Sequence, residues 1–277
     1  MKGIFELDMA VEPTGNNLLL VDGLNLAFRY KHKRKRDFAA DYVRTIESLA
    51  KSYNCNRVIV AADKGASEYR LEIYPEYKGN RKDKYATQTE DERLAFTEFL
   101  EDFEATMELV KIRFPLLRFK GVEADDTIAV LCNKADKFDN IWIISSDKDF
   151  DQLITDRVSR FSFITRKETT IHNFKERYDC TPEEYISLKV LEGDAGDNVP
   201  GVPGVGAKRG AALIKEYGSA FNIYDNLPIA GSAKYIQNVN NFGEQFLINY
   251  QLMDLSFSEE AVGEDNMKTV LEVLNNV

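Results

Sequence analysis

The sequence predicts an α/β fold in which a central, mostly parallel sheet is flanked by helices. Three observations carry that reading. Short apolar runs of strand length alternate with stretches of helical spacing up to about residue 175, the pattern of parallel strands joined by crossover helices. Beyond that point the strand signals fade and helices take over, so a helical C-terminal region is expected at 176–277. Carboxylates stand directly after several of the apolar runs, at the edge where open α/β sheets hold their ligands.

The elements follow in order. Residues 1–16 are mixed and contain Pro13 and Gly15, so a flexible leader is expected. Residues 17–21 (NLLLV) read as a buried strand that stops at the turn signal Asp22-Gly23. Residues 38–53 place Tyr42, Ile46, Leu49 and Tyr53 at helical spacing. Residues 57–62 (RVIVAA) are rich in β-branched side chains, form a second strand and end at Asp63. Residues 64–80 read as irregular and polar. A helix is predicted over 90–114, acidic in its first half and stopped by Pro115. Residues 116–120 form a third strand, followed by Gly121 and a helix through about Lys134. Residues 141–145 (IWIIS) form a fourth, with Trp142 expected in the core, and run into Ser146-Asp147. Residues 159–165 and 169–172 read as two further strands, and 182–191 and 207–217 as helices. The α/β core thus covers 17–175, interrupted by an insertion at about 66–115.

Composition narrows the function. The chain has 277 residues, 44% apolar and 30% charged, with 36 basic and 46 acidic side chains and a formal net charge of −10, values of a globular protein. Cys55, Cys132 and Cys180 are odd in number and lack C-x-x-C spacing. That excludes a disulfide framework and a cysteine zinc site, and suits a reducing cytoplasm. His32 and His172 alone exclude a multi-histidine metal centre. No signal-peptide core and no apolar run of membrane-spanning length is present. An acidic total argues against nucleic acid, but the charge is uneven. Arg29, Lys31, Lys33, Arg34, Lys35 and Arg36 form a dense basic run, which reads as DNA-backbone contact or as a solvated face.

The acids carry the strongest pattern. Asp22, Asp63 and Asp147 follow strands one, two and four; Glu123, Asp125 and Asp126 open the helix after strand three. Asp149 lies two residues past Asp147, and the segment GDAGDN adds Asp194 and Asp197. Each alone reads as a turn residue or helix cap. Together these nine repel strongly unless something positive sits among them. Donors that are all oxygen point to magnesium or manganese rather than zinc, and two such ions suit phosphodiester hydrolysis. No calcium-loop pattern is present. An aspartyl phosphatase would want an acid two residues after Asp22, where Leu24 stands.

Residues 201–209 (GVPGVGAKR) lie between two predicted helices. Glycines at 204 and 206 allow close approach of a phosphate to backbone N–H groups. Lys208 and Arg209 add charge, giving a helix–hairpin–helix pattern for sequence-independent grip on DNA. A dinucleotide-binding loop is excluded because no strand precedes it.

In order along the chain, VDGLN (21–25), DKG (63–65), EYKGNR (76–81), GVEADD (121–126), SSDKDFDQL (145–153) and GDAGDNVPGVPGVGAKRGA (193–211) resemble the 5′-nucleases. That family comprises flap endonucleases, the 5′→3′ exonucleases of tailed phages and the 5′-nuclease domain of bacterial DNA polymerase I. The chain's length is most like a stand-alone phage enzyme. The resemblance implies a PIN-like fold with a helical arch over the site and a helix–three-turn–helix at about 184–217. It implies structure-specific hydrolysis at 5′ flaps, nicks and 5′ ends of DNA, and of RNA/DNA hybrids, in phage DNA replication. It further implies a cytoplasmic monomer with two Mg2+ or Mn2+ ions. Asp22, Asp63, Glu123, Asp125 and Asp126 then match acids of the first metal site. Asp147 and Asp149 match acids serving both sites, and Asp194 and Asp197 match the second. Lys78 and Arg81 match arch residues that reach the scissile phosphate, and the hairpin matches a DNA clamp with a K+ ion on its carbonyls. Asp151 is an extra acid, the run at 31–36 is more basic than the family needs, and 218–277 match nothing specific. Tyr77 reads either as a base-stacking residue or as core. A PIN-type ribonuclease would lack the glycine hairpin and the GDAGDN pair, and a non-catalytic DNA-binding protein would lack some of the acids.

Overall fold

The computed structural model describes residues 15–277, so all but the end of the expected leader lies outside the described residues. Six strands, β1 (Asn17–Asp22), β2 (Cys55–Ala61), β3 (Leu116–Leu117), β4 (Asn140–Ile144), β5 (Val158–Ser162) and β6 (Lys167–Thr169), form one sheet in the order β3-β2-β1-β4-β5-β6. All pairings are parallel except β5 with β6. The chain steps from β1 outward to β3, then returns to lay β4 on the other flank of β1. That reversal puts a topological switch, and so a ligand crevice, at the carboxyl ends of β1 and β4.

The helices are α1 (Gly23–His32), α2 (Ala39–Ser52), α3 (Glu68–Ile73), α4 (Asn80–Ala86), α5 (Glu90–Arg113), α6 (Ala124–Lys134), α7 (Ile171–Tyr178) and α8 (Pro182–Glu192). They continue with α9 (Ala207–Tyr217), α10 (Ala220–Asp225), α11 (Lys234–Phe242), α12 (Gln245–Met253), α13 (Ser258–Val262) and α14 (Glu264–Asn276). Every residue of β1 is buried. Its side chains alternate between two cores, as the period of a strand requires. Leu18 and Leu20 join Ile128 and Leu131 of α6 on one face; Leu19 and Val21 join Tyr42 and Ile46 of α2 and Phe103 of α5 on the other. Only the C-terminal part of α5 is buried, through Phe99, Phe103, Met107 and Val110, while Leu94 near its start is 59% exposed. The exposed start of α5 and the short α4 lie in the stretch where the arch is expected. A Thr89–Glu92 capping box fixes where α5 begins.

Several expectations change. Residues 23–32 are a helix rather than a plain turn, because Asp22 acts as its N-cap and accepts from the Asn25 N–H. The third strand is only two residues long. The polar stretch 64–80 contains α3. The expected strand at 169–172 ends at Thr169, where Thr170 and Asn173 build a capping box that starts α7. Trp142 is half-buried and stacks on Tyr53 with ring centroids 4.0 Å apart. The largest change is at the C-terminus. Residues 255–277 were expected in the helical region. They are helical, but Leu255, Val262, Val270 and Leu274 pack in the same core as Leu18 and Leu20. The reason is α6, whose residues 128–132 are all buried; so apolar a helix needs cover on the side away from the sheet. The three cysteines are free and buried. Among the described residues no helix is long and apolar enough to cross a membrane.

The hairpin between α8 and α9 depends on glycine at particular contacts. A Cβ on Gly201 would lie 1.9 Å from the Glu192 carbonyl oxygen, and one on Gly210 would lie 2.6 Å from Leu188 Cδ1. A Cβ on Gly206 would meet nothing within 4 Å. Gly201→Ala should therefore cost about 1–3 kcal/mol, as overpacking of a closed contact does, read by urea unfolding. Gly206→Ala should cost under about 1 kcal/mol, the loss expected at an N-cap position. Equal losses in the two variants would contradict this packing.

Candidate active site

Each acid is placed by the end of an element. Asp22 closes β1; its Oδ1 accepts from Asn25 N at 3.1 Å and its Oδ2 from Ser145 Oγ at 2.8 Å. Burial, with Asp63 and Asp147 nearby, pushes its pKa up to about 7. Asp63 follows β2 and accepts from the Ala124 N–H at 2.6 Å, at the start of α6. Burial raises its pKa too. Glu123 is the N-cap of α6 and is buried. Asp125, on the first turn, is held well above the usual carboxylate range by burial, then by Asp147 and Asp22. Asp147 and Asp149 lie beyond β4, with the Asp149 N–H donating to Asp147 Oδ1 at 3.0 Å. Asp149 is pushed up to about 6, burial outweighing the counter-charge of Lys189. Asp194 turns its own loop by accepting from Gly196 N at 2.7 Å and Asp197 N at 3.2 Å.

Cations are interleaved with these acids. Lys78 Nζ lies 2.5 Å from Glu123 Oε1 and 3.5 Å from Asp197 Oδ2. Its backbone adopts φ 55° and donates to the Asp197 carbonyl at 2.8 Å, so local strain accompanies the placement. Arg81 Nη2 lies 2.8 Å from Asp197 Oδ1. Burial alone would raise the pKa of Asp197, but Lys78 and Arg81 outweigh it and lower it. Lys189 of α8 bonds Asp149 and lies 3.5 Å from Asp194. The polar segment around Lys78 thus does reach back over the carboxylate edge. Among the described residues, no three acids, histidines or cysteines close on one point; ammonium and guanidinium groups stand between the carboxylates instead. The donor set still fits hard divalent ions. It is all oxygen, and Asp22, buried, stands close to the half-buried Asp63 and Asp125, all three with raised proton affinity, which a cation relieves.

Two expectations are corrected. Asp126 was expected as a ligand of the first metal. Both its oxygens are bonded to Arg70, at 2.6 and 2.9 Å, and it is 1% exposed. One residue on from Asp125 turns the helix by about 100°, toward Arg70 of α3, whose Nη1 also lies 3.3 Å from Glu123 Oε2. Tyr77 was a candidate for stacking on a base. Its ring is buried and its hydroxyl donates to Glu123 Oε2 and Asp197 Oδ2, each at 3.1 Å. The basic run is partly engaged within the fold, although Lys33 to Arg36 all stay exposed. Arg29 donates to Thr45 at 3.0 Å and lies over the Phe163 ring, and Lys31 lies over Phe96. Lys35 pairs with Asp41, and Arg36 with Glu98 and Asp102. Lys33 and Arg34 remain exposed with no carboxylate partner among the described residues.

In the hairpin, Gly204 adopts φ 82° and Gly206 is open to approach. Lys208 is exposed, while Arg209 donates to the Gly204 carbonyl at 2.5 Å and lies over Tyr235. A groove of about 700 Å3 joins Asp147, Asp149 and Asp194 to Ala207 at the start of α9. Sequence reasoning missed Arg70 and Lys189. Each is the one basic residue of a short helix that also carries acids, a pattern that does not mark it as facing the site, although Lys189 lies five residues before Asp194.

Two family profiles match the chain: the 5′-3′ exonuclease N-terminal resolvase-like domain over residues 17–179, and the 5′-3′ exonuclease C-terminal SAM fold over 180–267. The flap endonuclease of Escherichia phage T5 is 46% identical over 268 residues, which is 93% of this chain and 92% of that one. A solved T5 5′-exonuclease with bound divalent metal ions (zinc) superposes with a TM-score of 0.89 at 46% identity, covering 93% of this chain and 99% of that one. A T5 flap endonuclease complex with DNA and metal ions gives 0.89 at 45% identity, covering 94% and 99%. With its parallel sheet, its acidic edge and both family domains present, the chain belongs to the 5′–3′ exonuclease family, the structure-specific 5′ nucleases that include the phage T5 flap endonuclease.

Proposed function

We propose that this chain, acting as a monomer, hydrolyses phosphodiester bonds at 5′ flaps, nicks and free 5′ ends of DNA and RNA/DNA hybrids, using two Mg2+ or Mn2+ ions. The observation that carries the reading is convergence. Acids from β1, β2, α6, the loop after β4 and the loop after α8 share one edge, with Lys78, Arg81 and Lys189 among them. Asp22, Asp63, Glu123 and Asp125 would hold one ion, Asp194 and Asp197 the other, and Asp147 and Asp149 would face both. When bound, the ions supply an activated water and charge for the leaving oxygen.

The chain's own groups do the rest. The Ser145 hydroxyl orients Asp22, and the Tyr77 hydroxyl orients Glu123 and Asp197. Lys78 and Arg81 are paired with Glu123 and Asp197. With metal on those carboxylates, both cations would be free to meet the scissile phosphate. The hairpin at Gly204 and Gly206, with Lys208, grips the duplex, and a K+ ion on its carbonyls belongs to the same reading. The groove from Asp147 to Ala207 gives the strand a path between site and grip.

Cleavage of a labelled 5′-flap duplex should require Mg2+ or Mn2+ and stop with a chelator; undiminished cleavage in excess chelator would refute the metal reading. Asp147→Asn should lower turnover by several orders of magnitude while flap binding, measured by anisotropy, stays close to wild type. Binding lost in step with turnover in a folded variant would count against its role. Lys78→Ala should slow single-turnover cleavage roughly a hundredfold or more, the worth of a charge on a transferring phosphoryl group. A wild-type rate in that variant would leave Lys78 as a structural counter-ion only.

A further inference from the structure

We propose that the buried Asp151–Arg160 pair is a positioning device for the metal acids, setting the geometry of Asp147, Asp149 and, through Ser145, Asp22. The proposal rests on the two-ion reading above. Asp151 lies in the short 3-10 helix at Asp149–Leu153 and is 0% exposed; Arg160 lies on β5 and is 1% exposed. Arg160 Nε donates to Asp151 Oδ1 at 2.5 Å and Nη2 to Oδ2 at 2.8 Å. Its third nitrogen, Nη1, donates to the Ser145 carbonyl at 3.0 Å. One guanidinium therefore grips both ends of segment 145–151, the segment that carries Asp147 and Asp149. Nη2 also reaches Thr169 Oγ1 at 3.2 Å, and the Tyr178 hydroxyl donates to Asp151, so the pair's polar atoms are bonded on all sides.

Ser145 passes this placement outward. With its carbonyl held by Arg160, its hydroxyl donates to Asp22 Oδ2 at 2.8 Å and accepts from the Asp147 N–H at 3.1 Å. Asp147 in turn receives the Asp149 N–H. Three acids from two strand ends are thus fixed relative to one buried cation. Neither Asp151 nor Arg160 lines the groove, so neither touches substrate. As a means of stabilising a core the arrangement is poor, because apolar residues of similar volume do as well or better than a buried ion pair. Its use is directional: the planar fork fixes angles that apolar packing does not.

The double variant Asp151→Leu/Arg160→Met removes both charges and fills their space with apolar side chains. Binding of Mn2+ alone would be followed by calorimetry on the folded protein, beside kcat and KM on flap DNA. The expected result is cooperative unfolding near that of wild type, Mn2+ affinity lower by ~10–100-fold, as when partners of metal ligands are lost, and a reduced kcat with KM for DNA unchanged. Wild-type Mn2+ affinity and turnover in the folded double variant would overturn the proposal. If that variant does not fold, Arg160→Lys is read in the same titration. It keeps the charge but cannot bond Asp151 and the Ser145 carbonyl together, so weaker Mn2+ binding is expected and wild-type affinity again overturns the proposal. A wild-type protein that binds no Mn2+ would instead overturn the metal reading, and this proposal with it.

Discussion

Mutual repulsion among carboxylates at one edge of the sheet is the constraint on which the rest of this structure depends. Asp22, Asp63, Asp125 and Asp149 are drawn toward the same edge and all hold protons more tightly than free carboxylates do. A fold that brings them together must spend cations on them. Arg70, Lys78, Arg81 and Lys189 are those cations; they pair with Glu123, Asp126, Asp149, Asp194 and Asp197 of the same edge and come from three places. Lys78 and Arg81 come from the segment leading into the arch, and Lys189 from the first helix of the C-terminal hairpin. The charge balance of the site is therefore also what ties the arch and the hairpin to the sheet.

The fold serves that balance. The switch between β1 and β4 lays the Asp22 and Ser145–Asp149 segments side by side. Parallel strands buried on both faces leave polar side chains little room except at strand ends, which concentrates the acids at one edge. Arg70 stitches a third region to the edge: besides Asp126 it donates to the Leu252 carbonyl at 2.8 Å, at the end of α12. From there the chain returns to cover α6, so the last helices belong to the core that carries Glu123 and Asp125.

Much of this was legible in the sequence, for a physical reason. A strand buried on both faces reads as an unbroken apolar run, so its end is sharp and the acid after it stands out. Asp22, Asp63 and Asp147 were found that way, and the six-strand sheet followed. Helix phase was harder. Asp125 and Asp126 are neighbours in sequence yet face different partners, and nothing in GVEADD says which of them turns toward Arg70. Tyr77 was ambiguous for the same reason, since its role is set by two carboxylates more than forty residues away. The intramolecular partners of the basic run were also invisible: Arg36, Lys35 and Arg29 are held by groups of α2 and α5 and by Phe163. The return of residues 255–277 to the sheet was invisible because an amphipathic helix does not name the face it covers.

On the function proposed above, the acidic edge takes two divalent ions in place of its own lysines and arginines. Calorimetric titration of the full chain with Mn2+, without DNA, tests it most directly when paired with thermal melting. Two ions should bind per chain and the melting point should rise with Mn2+ concentration, because an ion that binds only the folded state stabilises it. No saturable binding, or binding that leaves the melting point unmoved, would mean that the internal cations are the site's final partners and would contradict the account.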